Sequence, residues 1–542
     1  GSDIKINADQ TSFASGKGNA TGSTFAKAIL TANNKTNTAT KNYYMYLNIS
    51  NNTFTYTQNE NTPELLLTIT DVSGNAITSI TGLTYKTVID GKGTSVSGFD
   101  ITTKSGLLTL FDNREITASP TKTEEWNVTV TFVNYNVNQT GNAGKSFNAK
   151  LMIQQEEYEL TLADICAGKT LSDCVISQYT GIQGENNIYY HDSDLANGAG
   201  DNSYRYAGGD YVLTEAGKAT GATMMIGYNN SVTTALIDFY CNGTKQYVGY
   251  ASSCSTSHYY LIKGDTTQYQ TYNEALNASV EKGYLTKDNV KNFVCFGSDA
   301  TTCPTENLYR IIGVFNNHVK LIKYDYAKSS LLGTDGDFSQ EYTSNYFSGE
   351  QGESPSSNSL YYWNNAGTNT WSASKLNTVN LNTNFTTNIG TAWANKIATT
   401  TWKVGGGTYA NLRDAVPKTA YQYEVGSSAS TTTYDAKIGL MYVSDYYYSA
   451  SPSAWTLVGY NSDYTKSYAS AKGENWLYGG GWDWTISRYS DSSNSAFLVN
   501  YRGSVNGYFV YSYYGVRPSF SLLSSTTYVS GSGSMSDPVR VN

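Results

Sequence analysis

Segments in which apolar and polar residues alternate dominate the first 158 residues of this 542-residue chain. Every second side chain is apolar over 126–132 and again over 147–153. Further candidate strands lie at 43–49, 65–70, 83–89 and 107–111, and the only helix signal is the weak TFAKAIL near residue 27. Since successive side chains of a strand point to opposite faces, this period is typical of half-buried strands between turns. The sequence therefore predicts an antiparallel β-sandwich over residues 1–158.

The composition changes near residues 156–160, which predicts a second domain over residues 159–542. Only 7 of the 48 tyrosines precede residue 159, and eight of the nine tryptophans lie between Trp363 and Trp484. The clearest helix is expected from about residue 388 to 398, where apolar residues recur at helical spacing. Candidate strands are 308–315, 318–326, 438–448, 496–501 and 507–520. The expected fold class is multidomain, an all-β sandwich followed by an α+β domain.

The charge, the apolar runs and the histidines of this sequence argue against several classes of function. Charged residues make up 15% of the chain and the net charge is −8, whereas nucleic-acid binding needs a basic surface that displaces counterions. No apolar run approaches the 18 residues of a membrane span. The three histidines, His191, His258 and His318, lie far apart and match no catalytic or metal-binding motif. We therefore expect no enzyme activity, no cofactor and no metal.

The six cysteines form three local pairs, Cys166 with Cys174, Cys241 with Cys254, and Cys295 with Cys303. Six cysteines allow 15 connectivities, of which nearest-neighbour pairing closes the shortest loops. Six buried thiols in a cytosolic protein are the alternative. The polar loops between the later pairs favour disulfides and an extracellular protein. We expect Gly1 and Ser2 to be a cloning scar, with targeting and anchoring segments removed.

Several C-terminal segments resemble a domain of surface proteins from Gram-positive gut bacteria: YRIIGVF, VKLIKYDYA, IGLMYVSDYYYSAS, DWTISRYS and YGVRPSFSLL. That domain is similar to the C-type-lectin fold of the variable proteins of diversity-generating retroelements and of formylglycine-generating-enzyme relatives. The resemblance covers roughly 180–542 and implies an insertion at about 211–288. TFVNYNVNQTGNAGKSFNAKLMI resembles an immunoglobulin-like stalk. The enzyme relatives use a C-terminal cysteine pair, and this chain has no cysteine after Cys303.

The resemblance implies a diversified binding segment near the C-terminus. The window 487–514 contains six Tyr and seven Ser but no Lys, Glu, Gln, Met or Trp. Randomising the adenines of Asn-type codons cannot produce these five residue types, so their absence fits a diversified segment. Tyr, Ser, Gly and Asn are also the residues that antibody binding surfaces use. The candidate ligand-binding residues are Tyr489, Asp491, Ser493, Asn494, Asn500, Tyr501, Arg502, Ser504, Asn506, Tyr508, Tyr511, Tyr513 and Tyr514. Ordinary strands of a tyrosine-rich surface protein are the alternative interpretation.

The sequence thus predicts an extracellular, cell-surface adhesin that binds a protein ligand on another cell, host or phage surface. A carbohydrate-binding lectin that uses the tryptophans, with or without Ca²⁺, is the first alternative. A structural or pilus-like subunit is the second. Asp192, Asp194 and Asp201 could supply oxygen ligands to Ca²⁺, but a solvated acidic loop is the simpler interpretation of this segment.

Overall fold

The computed structural model describes residues 3–8, 16–32, 37–222, 235–246, 254, 256–287, 290–342, 358–460 and 468–542. The chain divides into two compact units, Gly1–Ile165 and Cys166–Asn542. Strands predominate over helices in both, and strand neighbours within the sheets are antiparallel.

The N-terminal unit consists of two antiparallel sheets that share one hydrophobic core. Its strands are β1 Asp3–Asn7, β2 Ala20–Thr31, β3 Ala39–Asn52, β4 Leu65–Asp71, β5 Tyr85–Ile89, β6 Ser95–Asp100, β7 Gly106–Ala118, β8 Thr121–Phe132 and β9 Ser146–Gln154. One sheet has the order β1-β9-β3-β7 and the other β2-β8-β4-β6-β5. Leu47 of the first sheet and Val128 of the second belong to the same buried cluster.

The alternating segments fold as the sequence predicts. Trp126, Val128, Val130 and Phe132 of β8 are all buried, whereas Asn127 between them is exposed. The weak helix prediction near residue 27 is wrong. That segment lies within β2, which pairs with β8 over its whole length, from Ala20 opposite Phe132 to Thr31 opposite Thr121. Pairing with a long neighbouring strand outweighs a weak local helix preference.

The C-terminal unit combines several small sheets with short helices. The helices from the end of the first unit onward are α1 Leu162–Cys166, α2 Leu171–Ser177, α3 Glu215–Ala219, α4 Tyr272–Glu281, α5 Ser329–Leu332, α6 Thr386–Asn388, α7 Thr391–Ala394, α8 Pro417–Glu424 and α9 Val443–Tyr448. Two π-helical segments, Leu376–Phe385 and Tyr409–Arg413, add to these.

The strands of this unit are β10 Ile188–Tyr190, β11 Tyr204–Tyr206, β12 Tyr211–Leu213, β13 Ile237–Cys241, β14 Thr244–Gln246, β15 His258–Ile262, β16 Leu285–Lys287, β17 Phe293–Cys295, β18 Leu308–Phe315, β19 His318–Lys323, β20 Phe338–Tyr342, β21 Asn358–Tyr362, β22 Thr400–Lys403, β23 Thr433–Ala436, β24 Ile438–Gly439, β25 Asp483–Arg488, β26 Ser495–Val499, β27 Val505–Phe509, β28 Tyr513–Tyr514, β29 Ser519–Ser521, β30 Tyr528–Ser530 and β31 Arg540–Val541. The largest sheet has the order β10-β11-β18-β19-β29-β24, with β17 also paired to β18. Residues 211–287 begin and end in the paired strands β12 and β16, and they enclose a hydrophobic cluster of their own.

Three predictions in this unit are wrong. Residues 507–520 are not one strand, because they are divided among β27, β28 and β29. Residues 438–448 are not one strand, because Val443–Tyr448 forms α9. The buried carboxylate of Glu424 accepts hydrogen bonds from the backbone N–H groups of Val443 and Ser444, which satisfies the first turn of the helix. The helix expected over 388–398 is broken at Gly390, whose φ of 85° separates α6 from α7.

Three disulfides join the cysteines in nearest-neighbour pairs, as favoured from the sequence: Cys166–Cys174, Cys241–Cys254 and Cys295–Cys303. They are consistent with an extracellular protein. Within the part of the chain that the structure describes, no helix has the length and apolar character needed to cross a membrane.

His191 is enclosed by aromatic side chains in the C-terminal unit. Its ring centroid lies 4.8 Å from that of Tyr448 and 5.2 Å from that of Trp455, and its Nδ1 accepts a hydrogen bond from the backbone of Ala199 at 3.0 Å. Burial lowers the pKa of His191 well below 6.5, and the positive charge of Arg205 lowers it further. The native unit therefore holds this imidazole neutral.

Acid is expected to destabilise the C-terminal unit through His191. Because the folded-state pKa lies below that of the unfolded chain, the contribution is complete above about pH 6.5 and declines as the pH falls, by at most about 1.4 kcal/mol per pH unit. Urea unfolding followed by tryptophan fluorescence between about pH 7.5 and 5.5 measures this slope. The His191→Gln variant should show a shallower slope, and equal slopes in the two proteins would contradict the assignment.

Candidate binding site

The window 487–514 folds into consecutive hairpins of a three-stranded sheet. β26 lies between β25 and β27, with Trp484 opposite Leu498 and Ser495 opposite Phe509. All five residues of β26 are buried. The chain then returns through β28, which pairs with β21. Six side chains in and beside this window are buried and form its scaffold: Trp484, Ile486, Phe497, Val499, Val510 and Arg517.

Asn369 fixes the turn between β25 and β26. Its side-chain amide donates to the backbone carbonyls of Tyr489, Ser492 and Ser495 at 2.9, 2.6 and 2.9 Å. Its backbone N–H donates to the carbonyl of Ser493 at 2.8 Å. Asp491 and Ser493 are exposed on this turn, and Asn494 is half-buried. A buried residue more than 100 positions upstream thus holds the turn in one conformation.

The turn between β26 and β27 directs two candidate residues inward. Asn500 and Ser504 are buried, and Asn500 Oδ1 accepts hydrogen bonds from the backbone N–H groups of Arg502 and Ser504 at 2.9 and 3.1 Å. Gly503 has a φ of 81°, a conformation that favours glycine. Tyr501 and Arg502 are half-buried on the outside of the turn. The side chains of Asn500 and Ser504 therefore serve the fold and do not face solvent.

Three candidate tyrosines surround Trp482, which precedes β25. Tyr514 stacks on Trp482 with ring centroids 5.0 Å apart, while Tyr508 meets the indole edge-on at 5.0 Å and Tyr501 lies at 5.6 Å. Burial raises the pKa of Tyr514 to about 12. Because they pack on Trp482, the rings of Tyr501, Tyr508 and Tyr514 are only half-exposed.

Tyr489 lies apart from this group. Its ring stacks on Tyr409 with centroids 4.3 Å apart, and the hydroxyl of Tyr409 donates to the carbonyl of Gly507. A Cβ on Gly507 would fall 2.4 Å from that hydroxyl, so Tyr409 covers the face of the sheet to which position 507 points. Tyr508, the next residue, points to the other face. The structure therefore does not bring Tyr489 and Tyr508 onto one platform. Asn506, also on β27, is half-buried.

Three aromatic side chains project from the turn between β27 and β28. Phe509, Tyr511 and Tyr513 are 49%, 45% and 42% exposed, and we refer to them as the aromatic tip. The rings of Phe509 and Tyr511 stack with centroids 5.1 Å apart. Val510 between them is buried, and its backbone N–H donates to the carbonyl of Asn494 at 2.9 Å. The tip is thus anchored to the neighbouring turn that Asn369 holds.

A polar concavity of about 460 Å³ is formed by the same turn. Its lining consists of hydroxyl, amide and charged residues: Thr368, Asn369, Thr370, Arg488, Ser490, Asp491, Ser492 and Ser493. The candidate site therefore joins exposed aromatic area to a concave surface rich in hydrogen-bonding groups. This combination is common in binding surfaces.

The residues proposed for Ca²⁺ or sugar are occupied in other ways. Asp201 forms an ion pair with Arg205 at 2.7 Å, and Asp192 Oδ1 accepts from the backbone N–H groups of Asp194 and Leu195. In the described ranges no group of three or more His, Cys, Asp or Glu could hold a metal ion. Six of the eight tryptophans between 363 and 484 are buried: Trp363, Trp371, Trp402, Trp455, Trp476 and Trp484.

Sequence reasoning missed several residues that shape the site. Phe509 is as exposed as the tyrosines beside it, and its position within the window 487–514 could have identified it as a candidate binding residue. Asn369, Tyr409 and Trp482 lie outside the window, and their roles depend on tertiary contacts.

Comparisons of this chain with protein-family models, with curated proteins and with solved structures find no match. A proposed function therefore rests on the residues of the site.

Proposed function

We propose that this chain is an extracellular ligand-binding protein whose aromatic tip, with the adjoining turn 489–494, binds a protein ligand. One observation carries the proposal. Among the described residues of Cys166–Asn542, four Phe, Tyr or Trp side chains are exposed, and three of them form the aromatic tip. The fourth is Tyr423 on α8.

Exposed aromatic side chains on a fixed backbone are well suited to protein recognition. Tyr and Phe contribute a large contact area and lose little conformational entropy on binding, and tyrosine is enriched among residues that dominate binding energy. The small polar residues Ser490, Ser492 and Ser493 line the neighbouring concavity and can adapt their hydrogen bonds to a partner. Two buried anchors, Asn369 and Val510, keep the backbone in place.

The finer assignment follows the sequence resemblance. We propose a cell-surface adhesin with an immunoglobulin-like stalk and a C-type-lectin-like domain, in which a retroelement diversifies residues 487–514. Its support is the residue content of the window and the separation of buried apolar positions from exposed Tyr, Ser and Asp. The neighbouring DNA tests it, since a reverse transcriptase and a near-identical template repeat should lie close by. An identical window across sibling strains would contradict it.

The double variant Tyr511→Ala/Tyr513→Ala should weaken protein binding by a factor of about 10–100, equivalent to about 1.4–2.8 kcal/mol. The labelled chain is screened on an array of purified extracellular proteins and on a glycan array, and the affinity for each protein hit is then measured for both proteins. Tyr423→Ala is the matched control, because Tyr423 is 40% exposed and lies outside the site. The absence of any protein hit, or an equal loss in the control, would contradict the proposal.

A further inference from the structure

A second concavity, of about 360 Å³, lies in the C-terminal unit away from the aromatic tip. Its lining includes Asn273 and Asn277 of α4, Tyr324, which follows β19, and Tyr478. Its volume is at the lower end of the range for small-molecule sites, about 300–1,000 Å³. The concavity therefore has the size of a site for a small ligand.

Two of the five charged side chains that line this concavity, Arg517 and Asp210, are held by fixed partners of opposite charge. Arg517 donates to Asp483 at 2.6 Å and to the carbonyl of Leu477 at 2.7 Å. Asp210 accepts a bidentate pair of hydrogen bonds from Arg310 at 2.6 and 2.8 Å. A charged ligand would gain little from groups that are already paired, and it would lose its own hydration. The other three, Lys287, Asp325 and Lys472, carry charges of both signs, so the lining as a whole favours a ligand without net charge.

The walls offer aromatic surface together with hydrogen-bonding groups. Tyr324 and Tyr478 are half-buried, so part of each ring borders the concavity. Asn273 and Asn277 lie one helical turn apart, and their side-chain amides make no hydrogen bond to another described residue. Each amide supplies both donors and an acceptor. Tyr478 is held in place because its hydroxyl donates to the backbone carbonyl of Tyr501.

We propose that this concavity is a binding site for a small neutral sugar, a mono- or disaccharide. The apolar C–H face of a sugar ring would pack on Tyr324 or Tyr478, and its hydroxyls would exchange hydrogen bonds with the amides of Asn273 and Asn277. The carboxylate of Asp325, which also lines the concavity, adds an acceptor. This site is independent of the proposed protein-binding function at the aromatic tip.

Saturation-transfer NMR on the full chain tests the sugar site. The probes are glucose, galactose, mannose, N-acetylglucosamine, lactose and maltose at millimolar concentration, with glycine, acetate and phosphate as small charged comparison ligands. At least one sugar should show transfer, and Asn273→Ala/Asn277→Ala should reduce its affinity at least fivefold. Glu281→Ala is the control, because Glu281 is exposed on the same helix and does not line the concavity.

Two further variants locate the binding. Asn277→Trp places a bulky ring at an exposed lining position and should abolish the sugar signal without altering a buried residue. Tyr511→Ala/Tyr513→Ala should leave the signal unchanged, which separates this proposal from the one for the aromatic tip. The sugar site is overturned if no probe sugar shows transfer, if Asn277→Trp retains the signal, or if the charged comparison ligands displace the sugar.

Discussion

Replacing Arg310 with alanine is expected to destabilise the C-terminal unit by about 3–5 kcal/mol. The buried guanidinium donates to both carboxylate oxygens of Asp210 and to Asn292 Oδ1 at 2.7 Å. It also donates to the backbone carbonyls of Val290 and Trp476 at 3.1 and 3.4 Å. All five N–H groups are therefore engaged. Alanine would leave five acceptor oxygens around position 310 without their donor, and each buried unpaired group costs about 1–3 kcal/mol.

Lysine at position 310 should recover only part of this loss. Its ammonium keeps the charge but cannot reproduce the planar fork that meets Asp210 in two places. The guanidinium also contacts the rings of Phe293 and Trp476, with its carbon 4.1 and 4.7 Å from their centroids. We expect Arg310→Lys to cost about 2–3 kcal/mol, since it loses at least two hydrogen bonds and the stacking.

Urea unfolding of the full chain, followed by tryptophan fluorescence, measures these losses. The signal reports the C-terminal unit, because eight of the nine tryptophans lie between Trp363 and Trp484. Lys418→Ala is the control, since Lys418 is an exposed cation on α8 of the same unit. It should change the free energy of unfolding by less than about 1 kcal/mol. A loss at Arg310→Ala no larger than the control would contradict the assignment.

Local patterns were sufficient to predict part of this fold. The alternation over 126–132 predicts a strand with one buried face, because the period of side chains along a strand is fixed by the backbone. Nearest-neighbour disulfides follow from the low entropy of closing short loops. The start of α4 also lies at a local signal, because Thr271 and Glu274 form a capping box there. Each of these signals lies within a few residues of the element it predicts.

Distant contacts explain where sequence reasoning failed. The run of tyrosines in 438–448 carries no helical period, and Glu424, some 20 residues upstream, accepts hydrogen bonds from the first N–H groups of α9. Likewise, the window 487–514 identifies the turns, but Asn369 and Tyr409 decide their conformation and separate Tyr489 from Tyr508. Such partners are brought together only by the tertiary fold, so no local pattern could reveal them.

Removal of the Glu424 carboxylate should destabilise the C-terminal unit by about 3–5 kcal/mol, because it leaves several buried donors unpaired at about 1–3 kcal/mol each. Glu424 is buried and accepts hydrogen bonds from the backbone N–H of Val443 at 2.7 Å, from the N–H and hydroxyl of Ser444 at 2.9 and 2.6 Å, and from the hydroxyl of Ser487. Glu424→Ala would leave the first turn of α9 unpaired inside the core. Ser487 lies in β25, which leads into the turn 489–494, and its hydroxyl would also lose its acceptor.

The variant Glu424→Gln separates the charge from the hydrogen bonds. Burial raises the pKa of Glu424 despite the four donors, so burial disfavours the ionised carboxylate relative to the protonated one. The stability of the native protein therefore declines as the pH rises through the folded-state pKa. Glutamine carries no charge but directs an NH₂ donor at groups that themselves donate, so we expect a loss of about 1–3 kcal/mol that lacks this pH dependence. Urea unfolding measures the free energy of unfolding of both variants and of the exposed control Glu281→Ala. The control should differ from the unchanged protein by no more than about 0.5 kcal/mol. Equal stability of Glu424→Ala and the control would show that α9 does not depend on this carboxylate.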